Sequence, residues 1–234
     1  MSNFNILVVD DEVEICNAIE IYLKREGLNV LKAYDGIEAL QVLEEEKIHL
    51  ILLDVMMPKL DGIKTCLRIR ENRNIPIIIL SAKSENLDKI IGLNSGADDY
   101  ITKPFNHLEL IARVKSQLRR YEKPLDIENV NLKDKIVIKD LIIDTTLKFA
   151  TLRGEPLKLT ATEYGILLLL ASNSGKVFSI KEIYENVWKL PFFHSENTVT
   201  VHIRRMREKI ELNSKEPEYI KVVWGVGYKI EKHD

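Results

Sequence analysis

The first half of the chain alternates apolar runs of strand type with segments of helical periodicity, and this alternation restricts the fold more than any other feature. Between the runs, apolar residues recur three and four positions apart, as in helices that cover a sheet. The runs "LILL" and "IPIIIL" are apolar without alternation, which is typical of parallel strands buried on both faces. The strand-type runs lie at residues 5–10, 29–33, 50–55, 75–80 and 99–103. The sequence therefore predicts an α/β fold with a doubly wound, five-stranded parallel sheet.

The ends of these runs carry most of their polar residues. They are Asp10 and Asp11 at the first run, Asp54 in the third, Ser81 after the fourth and Lys103 at the end of the fifth. In a parallel sheet these ends meet at one edge, where ligands of such folds bind. We therefore expect three carboxylates, a hydroxyl and an ammonium group to converge there.

Asp54 needs an explanation, because it ends an apolar run in which an uncompensated charge costs several kcal/mol. Capping of strand ends explains a single aspartate, but it explains three carboxylates and a lysine poorly. Converging carboxylates repel one another unless a hard cation such as Mg²⁺ binds among them. With Mg²⁺ and the Lys103 ammonium present, Asp54 can act as a nucleophile toward phosphorus. The cluster predicts an acyl-phosphate switch with Asp54 as phosphoacceptor.

The chain has 234 residues, more than a typical single domain. No apolar run approaches the ~20 residues of a membrane helix, and the N-terminus has no basic leader, so we expect a cytoplasmic protein without a membrane partner. Cys16 and Cys66 have no neighbours at metal-ligand spacing and are predicted to be apolar fillers. Residues 1–122 carry 16 Lys+Arg and 20 Asp+Glu, whereas residues 123–234 carry 18 and 16. The two halves therefore suit different partners.

The second half has a different pattern, predicted as a domain at 135–234 that follows a charged linker at 122–134 and a first domain at 1–121. Short strands come first, within 136–159. Helices are predicted from Thr160, at about 179–188 and at about 195–211, and the first two begin with capping boxes. The closing segment predicts a hairpin around Gly-x-Gly. A helix-turn-helix followed by such a hairpin is typical of a winged helix, a smaller α+β domain.

The helix at 195–211 combines an apolar stripe with a basic side. The stripe consists of Val199, Ile203, Met206 and Ile210. The residues predicted to lie away from it are Asn197, Thr198, Thr200, Val201, His202, Arg204 and Arg205, and Arg207 completes the basic run. Asn and Arg contact adenine and guanine edges in the major groove, and Thr and Val contact the thymine methyl group. The alternative interpretation is a solvated basic face.

Four motifs carry a resemblance to a known family over about residues 3–121. In order and spacing they resemble the CheY-like receiver domain of two-component response regulators, and they read "VVDDE", "LLDVMMPKLDG", "ILSAK" and "GADDYITKPF". The resemblance implies that a histidine kinase phosphorylates Asp54. The site residues that it implies are Mg²⁺ ligands at Asp11, Asp54, Asp10 (through water) and Met56 (through its carbonyl), and phosphoryl-contact or switch residues at Lys103, Ser81 and Tyr100.

The second half resembles the effector domain of OmpR/PhoB-type regulators over about residues 130–232, through "LKLTATEYGILLLLASNSGKVFS", "NTVTVHIRRMREKI" and "YIKVVWGVGYKI". This resemblance implies that the helix at 197–211 enters the major groove of promoter DNA and that the loop at 189–196 faces RNA polymerase. The wing at 224–229 is expected at the minor groove or backbone. Trp224 stands where many members have Arg, which leaves Lys221 and Lys229 as phosphate contacts. Within the family, the chain is similar to the VanR regulators of glycopeptide resistance.

The receiver resemblance also implies a two-fold dimer that forms on phosphorylation and binds tandem promoter sites. The implied pairs are Lys89 with Glu109, Asp99 with Arg113, and Asp98 with Arg120. Glu109, Arg113 and Arg120 are predicted on the outward face of the helix that follows the fifth strand, with Leu108, Ile111, Ala112 and Leu118 toward the sheet. The alternative is a set of exposed charges, each worth little.

The sequence thus predicts a transcription factor and not an enzyme, with two rivals. One is a Mg²⁺-dependent aspartyl phosphotransferase or phosphatase. Enzymes of the haloacid dehalogenase type have Asp-x-Asp after the first strand, whereas Asp10 and Asp11 are adjacent and the nucleophile candidate lies on the third. The other rival is a receiver whose output domain binds protein or RNA.

Overall fold

The chain folds into two compact units, Met1–Tyr121 and Glu122–Asp234. A computed structural model describes residues 4–82, 96–121, 135–192, 196–214 and 216–232, with the backbone alone at 82, 120, 121, 196 and 197. The helix expected between the fourth and fifth strands and the linker predicted at 122–134 lie outside the described residues.

The first unit contains the predicted five-stranded parallel sheet, in the order β2-β1-β3-β4-β5. Its strands are β1 Asn5–Val9, β2 Asn29–Ala33, β3 Leu50–Asp54, β4 Ile77–Ala82 and β5 Asp99–Lys103. The described helices are α1 Val13–Arg25, α2 Gly36–Glu45, α3 Gly62–Asn72 and α4 His107–Tyr121. Because β1 and β3 are adjacent and parallel, Asp10 and Asp54 leave the sheet at the same edge.

Burial follows the sequence pattern in most of this unit. All of β3 is buried, as expected for a central strand covered on both faces. The α1 helix turns Cys16, Ile19 and Leu23 into the core. Both cysteines are free and buried, which agrees with their predicted role as apolar fillers.

The α4 helix departs from the sequence prediction at Leu108. Its buried stripe runs through Leu110, Val114 and Leu118, whereas Leu108 is 64% exposed. Two residues along a helix correspond to a rotation of about 200°, so Leu108 and Leu110 point to nearly opposite sides. Leu118 was therefore assigned correctly to the sheet-facing side, and Leu108 was not.

The second unit is the predicted winged-helix fold. A four-stranded antiparallel sheet comes first, formed by β6 Lys135–Ile138, β7 Leu141–Asp144, β8 Phe149–Leu152 and β9 Glu155–Pro156. Three helices follow, α5 Ala161–Ala171, α6 Ile180–Trp188 and α7 Glu196–Ile210, and then the hairpin of β10 Ile220–Val223 and β11 Gly227–Ile230. Thr160 and Ser179 complete the capping boxes of α5 and α6, which confirms both predicted helix starts.

The hairpin is attached to the body of its unit by a backbone bridge. Phe178 N donates to Tyr228 O at 2.8 Å, and Tyr228 N donates to Phe178 O at 2.9 Å. A Cβ at Gly227, where φ is 159°, would overlap the Phe178 carbonyl oxygen, so only glycine allows this close approach. Among the helices that the structure describes, none is both long and apolar enough to span a bilayer.

Candidate functional site

Three aspartates converge beyond the carboxyl ends of β1 and β3. Asp10 follows β1 and is fully buried, Asp11 is exposed, and Asp54 ends β3 with 4% exposure. Each contributes a carboxylate oxygen, and these oxygens lie within 4.8 Å of one another. The fold therefore brings together the carboxylates that the sequence placed at separate strand ends.

Lys103, the last residue of β5, reaches across this cluster. Its Nζ lies 2.7 Å from Asp10 Oδ2 and 2.9 Å from Asp54 Oδ1. Burial alone would lower the pKa of Lys103, but hydrogen bonds to the two carboxylates outweigh it and raise that pKa above the ordinary value. Lys103 therefore stays charged and offsets part of the negative charge at the site.

The environment of Asp54 disfavours its ionised form. Burial raises the pKa of Asp54 to about 6, against the opposing effect of Lys103 and with a smaller contribution from the Asp10 charge. Asp54 Oδ2 accepts a hydrogen bond from Met56 N at 3.1 Å. A Cβ at Gly62 would overlap the Asp54 carbonyl oxygen, so glycine lets α3 start directly against the end of β3.

Sequence reasoning missed a contact between the start of α2 and the loop that joins β3 to α3. Asp35 caps α2 by accepting from Ile37 N and Glu38 N with one oxygen. Its other oxygen lies 2.5 Å from Nζ of Lys59, in the loop between β3 and α3. The signal for the cap was Asp-Gly before a helical segment, but the lysine partner is remote in sequence and has no local signature.

The donor set suits Mg²⁺. The side chains that converge among the described residues are three carboxylates, and Mg²⁺ binds such hard oxygens and keeps several waters. The exposed Asp11 leaves a path for those waters. A cation here would also stabilise the ionised form of Asp54, which burial disfavours. The residues present therefore fit the metal that the sequence predicts.

Ser81 lies on β4, which is adjacent to the strand of Asp54, and Tyr100 lies on β5, one strand further. Asp54 pairs in register with Leu80, so Ser81 is the next residue along β4 toward the rim. Ser81 is 1% exposed and Tyr100, on β5, is 9% exposed. The structure thus places a buried hydroxyl on β4 and a buried aromatic ring on β5, the two strands that follow β3 in the sheet.

The polar face predicted for α7 is narrower than expected. Thr198 and His202 are fully buried and Val201 is 7% exposed, so the prediction that they lie away from the apolar side is wrong. The physical reason is that α7 packs against both α5 and α6, which widens its buried arc beyond the apolar stripe. Thr200 remains exposed, and the Asn197 side chain lies outside the described residues.

The three arginines of α7 have different surroundings. The Arg204 side chain is 71% exposed and pairs only loosely with Glu208, at 3.2 Å on its own helix. Arg205 is 12% exposed and lies 3.4 Å from the buried Glu163. Arg207 donates to Ile220 O at 2.7 Å through Nη2, which ties α7 to the hairpin. Of the three, Arg204 is the one that the domain presents to solvent.

The hairpin tip exposes apolar side chains between lysines that are already engaged. Trp224 is 89% exposed and Val226 is 56% exposed. Lys221 Nζ lies 2.5 Å from Pro217 O, and Lys229 lies 2.9 Å from Glu231. Both lysines must leave these partners or share them in order to contact phosphate.

The four residues predicted for a dimer interface whose side chains the structure describes are paired within the chain. Asp98 lies 2.6 Å from Arg70 of α3. Arg113 lies 2.9 Å from Asp99 and 2.9 Å from Glu109. Asp98 and Asp99 are each 1% exposed and Arg113 is 7% exposed, so the predicted outward position of Arg113 is wrong, whereas the Glu109 side chain is 44% exposed. Lys89 and the Arg120 side chain lie outside the described residues.

Comparisons with known proteins agree with both units. Residues 6–115 match the response regulator receiver domain family, and residues 154–230 match the C-terminal domain family of transcriptional regulatory proteins. The regulatory protein VanR of Enterococcus faecium is 47% identical over 228 residues, which cover 97% of this chain and 98% of that protein. The regulatory protein VanRc of Enterococcus gallinarum is 44% identical over 227 residues, again 97% and 98%.

A solved structure extends the comparison to the whole chain. Response regulator DrrB, an OmpR/PhoB homologue of Thermotoga maritima, is 35% identical, with a TM-score of 0.52 over 99% of this chain and 100% of that chain. The chain therefore belongs to the OmpR/PhoB-type response regulators, phosphorylation-dependent transcriptional regulators of two-component systems.

Proposed function

We propose that Asp54 accepts a phosphoryl group from a histidine kinase in the presence of Mg²⁺, and that this controls binding of the second domain to promoter DNA. The observation that carries the proposal is the position of Lys103, whose ammonium lies 2.9 Å from Asp54 and 2.7 Å from Asp10. A carboxylate with a purely structural role needs one cation to offset its charge. Asp54, Asp10 and Lys103 instead form a proposed site for a metal ion and a phosphoryl group together.

The residues of this site have separate tasks. Asp54 supplies the oxygen that forms the bond to phosphorus as the donor's phosphorus–nitrogen bond breaks. Lys103 offsets the charge of the incoming phosphoryl group, and Ser81 provides a hydroxyl to one of its oxygens while Tyr100 turns inward. Asp11, Asp54, the Met56 carbonyl and, through water, Asp10 would hold Mg²⁺, which would supply positive charge to offset the negative charge on the phosphoryl oxygens.

In the second domain, α7 is the proposed element that enters the major groove. Arg204 and Thr200 are the exposed residues on α7 that match base-reading side chains. The exposed Trp224 and the lysines of the hairpin are proposed to contact the minor groove or the backbone. The loop at 189–196, partly outside the described residues, is proposed to face RNA polymerase.

Phosphorylation is proposed to promote a homodimer that binds tandem sites. Because Asp99 and Arg113 pair within the chain, a pair between two copies requires this contact to open or to be shared. The similarity to VanR and VanRc supports control of glycopeptide-resistance genes or other cell-wall genes. The protein is proposed to act in the cytoplasm of a bacterium.

Phosphorylation of the purified full chain tests the first half of this proposal. We expect labelling by acetyl phosphate or a histidine kinase in Mg²⁺, and none in EDTA. Asp54→Asn should abolish labelling, because an amide is a poor nucleophile, whereas the control Asp61→Asn, at the exposed cap of α3, should label as the wild type does. Full labelling of the Asp54 variant would refute the assignment.

A gel shift tests the second half. We expect phosphorylated protein to retard duplex DNA in a salt-sensitive manner, and to prefer it to single-stranded RNA. Retention of RNA alone would favour the rival output domain. The rival interpretation as a phosphotransferase or phosphatase would be favoured by multiple turnover of a phosphorylated small molecule. The rate of that turnover would have to exceed the rate at which the phosphorylated protein decays.

A further inference from the structure

Glu163 is a buried carboxylate of the second domain whose contacts extend beyond its own helix. Its side chain is 0% exposed. Oε2 accepts from Thr160 N at 2.8 Å, as part of the capping box of α5, and lies 2.6 Å from Lys209 Nζ. Oε1 makes no hydrogen bond within the described residues and lies 3.4 Å from Arg205 Nη2. One carboxylate thus has two cations in addition to the amide that it caps.

Both cations belong to α7. Arg205 and Lys209 are four residues apart and therefore share one face of the helix. Their side chains are 12% and 31% exposed, and Lys209 also donates to Lys158 O at 2.8 Å. A buried carboxylate that loses its cations is strongly unfavourable. The contact therefore restricts both the rotation of α7 about its axis and its displacement along the start of α5.

We infer that Glu163 is a positioning residue for DNA recognition, which holds α7 through Arg205 and Lys209 so that Arg204 faces the duplex. This inference rests on the proposed DNA-binding role of α7. Adjacent helical residues are about 100° apart, so turning Arg205 toward Glu163 directs Arg204 outward. Arg205, which resembles a base-reading residue in sequence, is an internal anchor.

The direction in which Glu163→Gln changes DNA affinity separates a positioning role from a simple effect of net charge. Glu163→Gln keeps an oxygen that can accept from Thr160 N, so the capping box can remain, and it removes one negative charge. Removing negative charge from a DNA-binding domain strengthens its attraction to phosphate. Loss of specific affinity in this variant therefore cannot come from the change in net charge.

The chain offers a matched control in Glu182. It occupies the same capping-box position in α6 and accepts from Ser179 N at 2.8 Å, and within the described residues its side-chain hydrogen bonds are with Ser179, at the start of α6. Glu182→Gln makes the same chemical change without touching α7. Both variants are made in the full chain, and far-UV circular dichroism and thermal unfolding check that they fold.

Binding is measured after acetyl phosphate treatment, on a duplex enriched from a random-sequence pool by the wild-type protein and on a scrambled duplex of the same length. We expect Glu163→Gln to lose about tenfold in affinity for the enriched duplex and none for the scrambled one, while Glu182→Gln stays within about twofold of wild type. Affinity of Glu163→Gln equal to or higher than wild type on the enriched duplex would overturn the inference.

A mutant cycle tests whether the effect passes through the two cations. If Glu163 acts by holding Arg205 and Lys209, the Glu163→Gln/Arg205→Gln/Lys209→Gln protein binds no more weakly than Arg205→Gln/Lys209→Gln. Additive losses would mean that Glu163 and the two cations affect binding independently, and would overturn the inference. If Glu163→Gln does not fold, the variants Arg205→Gln and Lys209→Gln are measured in its place, because both leave the cap of α5 intact. If both variants bind the enriched duplex with wild-type affinity, the inference is overturned. Failure of the wild type to enrich any duplex contradicts the proposed function instead.

Discussion

Replacing Asp54 by Asn is expected to stabilise the metal-free receiver domain at neutral pH, although it removes the proposed phosphoacceptor. The pKa of Asp54 is raised from its ordinary 3.8 to about 6, mainly by burial. The folded protein therefore binds this proton more tightly than the unfolded chain does, and stability falls as pH rises from about 4 to about 6. The difference between these two pKa values corresponds to about 3 kcal/mol. An uncharged Asn avoids this cost.

Scanning calorimetry of the full chain in EDTA measures the effect, with the receiver transition identified as the one that Mg²⁺ shifts. At pH 7.5 we expect Asp54→Asn to unfold about 10 °C above wild type, and we expect this difference to vanish near pH 4. Saturating Mg²⁺ should narrow the difference, because the ion stabilises the wild-type site by about 2.7 kcal/mol at a hundred times its Kd.

The control for this prediction is Asp61→Asn. Burial alone would raise the pKa of Asp61, but hydrogen bonds from Lys64 outweigh burial and lower that pKa. The ionised Asp61 side chain therefore stabilises the folded protein above its ordinary pKa, and this stabilisation is lost as the pH falls. This variant should therefore gain no stability at pH 7.5. An Asp54→Asn protein no more stable than wild type, or a difference that does not change with pH, would refute the argument from burial.

Three further predictions concern other parts of the molecule. Arg204→Ala should weaken specific duplex binding by about 1–3 kcal/mol, measured by titration, and leave Asp54 phosphorylation unchanged; unchanged binding would remove Arg204 from the interface. Glu109→Lys should impair phosphorylation-dependent dimerisation in sedimentation, and adding Lys89→Glu should restore part of it; an unaltered dimer constant would exclude this face. Burial raises the pKa of the Cys16 thiol to about 11, so at pH 8 on the order of one thiol in a thousand is ionised. Alkylation of Cys16 should therefore require denaturant. Rapid labelling of Cys16 in the native protein would contradict its burial.

The sequence was sufficient to predict the sheet and the rim of polar residues. Strand-type runs and helical periodicity are local signals, and parallel strands necessarily end at one edge. This is why Asp10, Asp54 and Lys103 could be assigned to one site although they are far apart in the chain. The capping boxes at Thr160 and Ser179 are local signals too, and both helices begin where they indicate.

The tertiary structure decided which side chains are available to a partner. Periodicity shows the direction of a helix face, but the width of the buried arc depends on how many elements pack against the helix. Hence His202 is buried and Arg204 is exposed on the same α7 helix, although the sequence predicted that both lie away from the apolar stripe.

Ion pairs between distant segments were equally beyond the sequence. Arg70 with Asp98 and Glu163 with Lys209 join residues that share no spacing or motif. A charged side chain looks the same in sequence whether it is solvated or buried against a partner, since its burial is set by the packing of remote elements. The sequence alone therefore determined the fold, the cluster of polar residues at the edge of the sheet and the family, and the tertiary structure determined which charges are exposed and which hold the protein together.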